Sequence, residues 1–412
     1  MGNLGNLYQT RGDLDRAEET HKTALALNET LGRKEGMASQ YGNLGNLYQT
    51  RGDLDVAEEM YLKSVEIEEV LGRKEGMAST YGNLGNLYQV RGEFDRAEEM
   101  YKKSIEINEV LGRKEGTAIQ YGNLGVLYES RGDLDRAEEM YRKGLELDEA
   151  LGRKEGIGSN YGNLGNLYQI RGDLDRAEEM HLKSLEIEEA LGRKEGMASE
   201  YGNLGEVYRI RGDLDRAEEM HLKSLALNEA VGRKQGMASN YGNLGEVYRI
   251  RGDFDRAEEM YEKALALNEA LGRKQGMAIQ YGNLAIVHQT RGDLDRAEEM
   301  YKKGLEIDEA LGRKEGMASK YGNLGNLYQT RGDLDRAEEM HLKSLEIEEA
   351  LGRKEGMAND YGNLGNLYRT RGNLERAEEM YEKALALFRE VGAAPKVEQT
   401  EGLLTELRDE RR

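Results

Sequence analysis

Apolar and polar positions along this chain follow two nested periods. Between Gly36 and Glu75, the apolar or small residues Met37, Ala38, Tyr41, Leu44, Gly45 and Tyr48 recur at helical spacing and predict a first helix, A. Arg51-Gly52-Asp53 ends it, because Gly52 suits a left-handed C′ position and Asp53 suits the cap of the next element. Helix B is expected to begin there, with Asp55, Glu58 and Glu59 near its positive end. Ala57, Met60, Tyr61, Ser64, Val65, Glu68 and Leu71 keep an i, i+3, i+4, i+7 rhythm with one charged interruption. Gly72 ends helix B, Arg73 and Lys74 complement its negative terminus, and a new helix A starts near Glu75.

The second period is forty residues. Gly-Asn-Leu begins at positions 2, 42, 82, 122, 162, 202, 242, 282, 322 and 362. Self-similarity at a fixed interval marks a solenoid, in which each unit packs on its neighbours. It overrides the two to four domains that the length of 412 residues suggests. The expected organisation is a ten-unit array over residues 1–392, entered partway through its first unit as if cut from something longer. Residues 393–412 depart from the pattern. Pro395 is the sole proline and suits a first helical turn; Gly402 and Leu404 stay in register with Gly362 and Leu364; Glu401 replaces the tyrosine. This segment is expected to be a capping helix with a solvated outer face.

Composition narrows the partners. Net charge is −20, spread evenly over the units, which argues against direct binding of nucleic acid. The absence of cysteine rules out disulfides and thiolate metal sites and fits a reducing compartment, so a cytoplasmic location is expected. No apolar stretch approaches the length of a membrane span, and no membrane partner is expected.

The segment Tyr41-Gly-Asn-Leu-Gly-Asn-Leu-Tyr48, followed by Gly52-Asp53, Ala57 and Tyr61, resembles the tetratricopeptide repeat signature over about residues 1–392. The 40-residue period exceeds the usual 34 and is similar to the long-helix subclass of kinesin light chains and Pins-like adaptors. The resemblance implies an all-α, right-handed superhelical solenoid of ten antiparallel helix-turn-helix units, with A helices lining a concave groove. The proline usual near the end of helix B is missing, consistent with a longer helix.

On a helical wheel, Ser39, Asn43, Asn46 and Thr50 form a polar stripe roughly 60° wide, opposite Tyr41, Leu44, Gly45 and Tyr48. Its first asparagine recurs in every unit, as Asn3, Asn43, Asn83, Asn123, Asn163, Asn203, Asn243, Asn283, Asn323 and Asn363. A carboxamide offers both donors and an acceptor to the backbone of an extended peptide. In the families this chain resembles, asparagines here contact ligand backbone; the alternative is that they bond the adjacent repeat and set superhelical pitch. Gly42 and its counterparts sit beside the stripe, reserved either for close approach of the next A helix or for ligand backbone. The second asparagine (Asn46, Asn86, Asn166, Asn326) gives way to Val126, Glu206, Glu246 and Ile286. Ile119 with Val126, and Ile279 with Ile286, make apolar patches; Glu206 with Arg209, and Glu246 with Arg249, make a charged zone. Such differences either read side chains of a ligand or represent drift.

Other signals are set aside. Arg-Gly-Asp occurs eight times, each time as the A–B turn. His21, His181, His221 and His341 exchange with tyrosine on helix B and do not suggest a metal site. No catalytic constellation, phosphate loop or cofactor motif stands apart from the repeat. The expected function is a non-catalytic scaffold that binds a protein or extended peptide in its groove, without cofactor or metal. The alternative is a structural rod that self-associates end to end.

Overall fold

The computed structural model describes residues 2–410 and is helical throughout, with short turns between helices. The helices are α1 (Gly2–Thr10), α2 (Leu14–Thr30), α3 (Lys34–Arg51), α4 (Leu54–Leu71), α5 (Lys74–Val90), α6 (Phe94–Val110), α7 (Lys114–Ser130), α8 (Leu134–Leu151), α9 (Lys154–Ile170) and α10 (Leu174–Leu191). They continue as α11 (Lys194–Arg211), α12 (Leu214–Ala230), α13 (Lys234–Arg251), α14 (Phe254–Ala270), α15 (Lys274–Thr290), α16 (Leu294–Ala310), α17 (Lys314–Arg331), α18 (Leu334–Leu351), α19 (Lys354–Thr370), α20 (Leu374–Glu390) and α21 (Ala394–Glu410). Odd numbers up to α19 are A helices and even numbers are B helices, so that α1 and α2 form repeat 1 and α19 and α20 form repeat 10.

The turns follow from the sequence. Every inter-helix glycine, from Gly12 to Gly392, has positive φ, a conformation that a Cβ penalises. At the start of helix B, Asp13, Asp133, Asp173, Asp213, Asp253, Asp293, Asp333 and Asn373 accept the backbone N–H three residues on. Asp53, expected to do the same, makes no side-chain cap bond.

Contacts group the chain into two compact bodies, Met1–Val207 and Tyr208–Arg412. From α1 to α10, and again from α12 to α21, each helix packs on the next in sequence, and A helices such as α3 and α5 or α17 and α19 also touch. The first body is cored by the buried leucines and tyrosines of its A helices (Leu44, Leu47, Leu84, Leu87, Tyr88) against Ala57, Tyr61, Ala97 and Tyr101 of its B helices. The second repeats the arrangement with Leu324, Leu327, Leu364 and Leu367 against Tyr301 and Tyr381. There α21 lies on α20 and buries Leu404 and Leu407, the register equivalents of Leu364 and Leu367.

Candidate functional site

The helical wheel is reproduced in space. Leu44, Gly45, Leu47 and Tyr48 are buried, whereas Ser39, Asn46 and Thr50 are exposed and Asn43 is half-buried. The same half-burial holds for Asn83, Asn123, Asn163, Asn203, Asn243, Asn283, Asn323 and Asn363; Asn3, in the short α1, is exposed. Among the described residues, Asn123 is the one ladder asparagine with a side-chain hydrogen bond, donating to Gln120 at 3.3 Å.

Cavities open along this stripe between neighbouring repeats. One, of about 310 Å³ in the first body, is lined by Ile119, Asn123 and Val126 of α7 and by Ser159 and Asn163 of α9. The apolar pair, seven residues apart in sequence, thus shares a surface with two ladder asparagines. A second, of about 390 Å³ in the second body, is lined by Ser319, Asn323 and Asn326 of α17 and by Asn359 and Asn363 of α19. Ile279 is exposed and Ile286 half-buried on α15, where Ile286 packs against the core of the second body.

Several stripe residues also have internal duties. The Tyr61 hydroxyl lies 2.7 Å from Asn46 Oδ1 and 2.8 Å from Gln49 Oε1. Tyr101 repeats this with Asn86 at 2.7 Å, and Tyr381 with Asn366 at 2.6 Å. Where valine or isoleucine removes that acceptor, the hydroxyl turns to the position three residues on: Tyr141 donates to Glu129 at 2.9 Å and Tyr301 to Gln289 at 3.0 Å. Asn166 and Asn326 belong to repeats with histidine on helix B and make no side-chain hydrogen bond among the described residues. Arg249 grips Glu246 at two points, 2.7 and 2.8 Å, and Glu246 also accepts from Tyr261 at 3.0 Å. The hydrogen bond from Arg249 holds the Glu246 carboxyl below the usual range. Arg209 is half-buried on α11.

Gly42 and its counterparts are not wedged against a neighbouring backbone. A Cβ at Gly122 or Gly362 meets nothing within 4 Å; at Gly82, Gly162 and Gly242 it meets the tips of Gln120, Glu200 and Gln280. The tight position is three residues on. A Cβ on Gly45 falls 2.5 Å from the Tyr61 ring, and one on Gly325 falls 2.5 Å from His341.

The recurrent Arg-Gly-Asp arginine clamps repeats together. Arg131 reaches back to Glu98 and Asp95, each at 2.7 Å, and Tyr128 donates to Glu98 at 2.8 Å. Burial works the other way, but hydrogen bonds from Lys102 and Tyr128 hold the Glu98 carboxyl below its ordinary value. Glu218 plays this part for Tyr248 and Arg251. Helix B carboxylates of this register therefore face the next repeat.

Sequence reasoning missed a set of buried polar groups beneath the stripe. The residue after Ser39 is buried in repeats 2 to 10, yet is Gln40, Thr80, Gln120, Asn160, Glu200, Asn240, Gln280, Lys320 or Asp360. Several meet the Glu68 register of the preceding helix B, which holds Glu, Asp or Asn, and others meet its histidine or serine. His181 contacts Glu200 at 2.8 Å; Asn228 donates to Asn240 at 2.9 Å; Lys320 pairs with Asp308 at 2.8 Å. A position that varies freely yet stays polar was the available signal.

The family described as Tetratricopeptide repeat matches residues 1–69, 76–150, 157–230, 236–310 and 316–390. No curated protein matches the chain. Among solved structures, BtubC (BKLC) from P. vanneervenii is 26% identical over 53% of this chain and 92% of its own, with a TM-score of 0.49. A STAND signal-transduction ATPase with a tetratricopeptide repeat sensor, from Pyrococcus horikoshii, is 17% identical over 85% of this chain and 54% of its own, TM-score 0.57. A Rap protein complexed with Competence and Sporulation Factor is 14% identical over 90% of this chain and 98% of its own, TM-score 0.52. At these last two identities the likeness is one of fold.

Proposed function

The chain belongs to the tetratricopeptide repeat family, and from that premise we propose that it holds an extended peptide or protein segment along the polar stripe of its A helices. Family membership makes it a protein-interaction scaffold in general terms; the family is generally non-catalytic. The groove mode rests on one observation above the others: the ladder asparagines after Asn3 are half-buried, four of them (Asn123, Asn163, Asn323 and Asn363) line cavities between repeats, and, Asn123 apart, they make no side-chain hydrogen bond among the described residues. Carboxamides so placed match the alternating N–H and C=O groups of an extended backbone. Ile119 with Val126 adds an apolar surface that distinguishes side chains. We place the scaffold in the cytoplasm, with protein or peptide as partner and neither nucleic acid, membrane nor cofactor involved. In the described residues no helix is long and apolar enough to cross a membrane.

The test uses an extended peptide selected on the protein from a random display library. Asn83, Asn163 and Asn203, all in the first body, are replaced together by Ala. Each lost bond is expected to weaken binding by about 0.5–1.5 kcal/mol, with helicity unchanged. Glu139, Glu219 and Glu259, exposed on helix B and ion-paired with Lys143, Lys223 and Lys263, are changed to Gln as the control. Equal loss in both sets sinks the reading.

A second reading, self-association, draws on Leu4 and Leu7. They are 46% and 44% exposed, while their equivalents Leu44 and Leu47 are 2% and 0%. Concentration-dependent assembly in gel filtration, abolished by Leu4→Ser with Leu7→Ser, is its test.

A further inference from the structure

The cavity between repeats 9 and 10 has an acidic floor that the described residues satisfy only in part, Arg353 reaching Glu348 and the Ser344 hydroxyl facing Asp360. Glu348 of α18 and Asp360 of α19 both line it and are 6% and 4% exposed. Glu348 Oε1 has Arg353 at 3.4 Å, but Glu348 Oε2 and Asp360 Oδ2 are buried without a hydrogen-bond partner. Glu348 and Asp360 thus line one cavity with a buried oxygen each that lacks a donor.

One repeat earlier, the chain supplies that donor itself. Asp308 stands in the register of Glu348, and Lys320 in that of Asp360; the Lys320 ammonium sits 2.8 Å from Asp308 Oδ2 and is almost fully buried. Gly304 makes the room, since a Cβ there falls 2.8 Å from Lys320 Cε. In repeat 9 the Gly304 register holds Ser344, and the lysine is replaced by a shorter acid. The ammonium is missing, the carboxylates remain, and about 390 Å³ is open above them. That volume lies at the lower end of small-ligand pockets, roughly 300–1,000 Å³.

We propose that this cavity is a subsite for a primary alkylammonium, presented as a lysine side chain by the segment in the groove. The placement rests on the groove reading; the cation chemistry does not. Asn323 and Asn363 flank the cavity and hold the backbone on either side of the inserted side chain. Burial, with the neighbouring Glu348 adding to it, pushes the Asp360 carboxyl up to about 7, as expected of a carboxylate still lacking its counter-ion.

The probe is n-butylammonium, the lysine side chain without its backbone, with n-butanol as the neutral control, at physiological ionic strength. Aspartate is labelled with carbon-13 at the carboxyl, and the Asp360 signal is identified by its disappearance in Asp360→Asn. Butylammonium is expected to shift that signal saturably and butanol not to. Affinity should fall at least tenfold in Glu348→Gln, and also when Ser344→Gly is combined with Asp360→Lys, which recreates the junction one repeat earlier. For that pair, which lacks the reporter, binding is followed by calorimetry. Circular dichroism confirms that each variant is folded. An Asp360 signal that ignores butylammonium, an equal response to butanol, or undiminished affinity in Glu348→Gln overturns the proposal. Because the probe has no backbone, failure of the asparagine ladder leaves this result standing, and the reverse.

Discussion

Between repeats 4 and 5 the buried carboxylate of Asp148 is held by Arg153 at 2.6 Å and by Asn160 at 3.0 Å. Between repeats 9 and 10 the same two registers hold Glu348 and Asp360, and an oxygen of each has no partner. Both junctions open into a cavity beside ladder asparagines. In the first, the apolar Ile119 and Val126 line the opening over a satisfied floor; in the second, the surroundings are polar over an unsatisfied one. One backbone frame thus carries different chemistries without changing its helices, because each repeat packs mainly on its immediate neighbours and a local substitution stays local.

The largest effect is expected where an internal pair is broken. Asp308→Asn strips Lys320 of its charged partner in a site 6% exposed. Breaking such a pair costs about 3–5 kcal/mol. Asp148→Asn, which leaves only neutral Asn160 and the part-exposed Arg153 to be rehoused, should cost about 1–3 kcal/mol. Hydrogen exchange should show faster opening of α16 and α17 in the first variant, with α3 to α6 unchanged; uniform loss along the chain would contradict nearest-neighbour packing.

Asp360→Asn should act in the opposite direction. Burial raises the native pKa from 3.8 to about 7, so the native state binds more protons than the unfolded chain between those values. Stability of this junction therefore falls as pH rises from about 4 to about 7 and is flat above. The groups facing Asp360 are the Ser344 hydroxyl, Glu348, Arg353 and Glu355, with Glu315 acting on Glu348. At pH 8 the substitution should stabilise α18 and α19 by on the order of 1–4 kcal/mol, and at pH 4 by almost nothing. Equal effects at both values would remove the buried-acid account.

His341→Tyr is the next step down. Both ring nitrogens of His341 are buried without partners, and burial lowers its pKa to about 4. The wild-type junction thus loses stability as pH falls from about 6.5 to about 4, since only the unfolded chain gains the proton. Tyrosine fits the equivalent cradle at Gly45, and its hydroxyl would meet Asn326 as Tyr61 meets Asn46. A gain of about 0.5–1.5 kcal/mol is expected, with the acid-side loss removed, in melts at pH 7 and 5. The smallest effect is Gly122→Ala. Open space around its Cβ predicts up to about 1 kcal/mol of added helix stability; a drop in peptide affinity alongside would mean that the glycine is kept for ligand backbone.

The hairpins, the glycine turns and the buried and exposed sides of helix A were legible because each follows from local rules: a 3.6-residue rhythm, a positive-φ turn, a fixed register. What lay hidden depended on which neighbour a residue meets. Glu68 and its equivalents read as interruptions of an apolar rhythm, yet they are the buried half of the junction chemistry. Glu58 and its equivalents read only as acids near the positive end of helix B, yet Glu218 in that register clamps Tyr248 and Arg251. Asn46 reads only as groove and also accepts from Tyr61. The glycine judged tight, Gly42, has room, while Gly45 faces an aromatic ring. Repetition makes a motif visible and says little about the partner across the interface.

The central claim, that a partner docks along the A-helix stripe, is tested most directly by placing a photo-crosslinking residue at Ser319, exposed on α17, and separately at Glu339, exposed on the outer side of α18. With the library-selected peptide bound and irradiated, the account expects a covalent adduct from position 319 and none from position 339. An adduct from 339 with none from 319 would place the partner on the acidic outer face and contradict it.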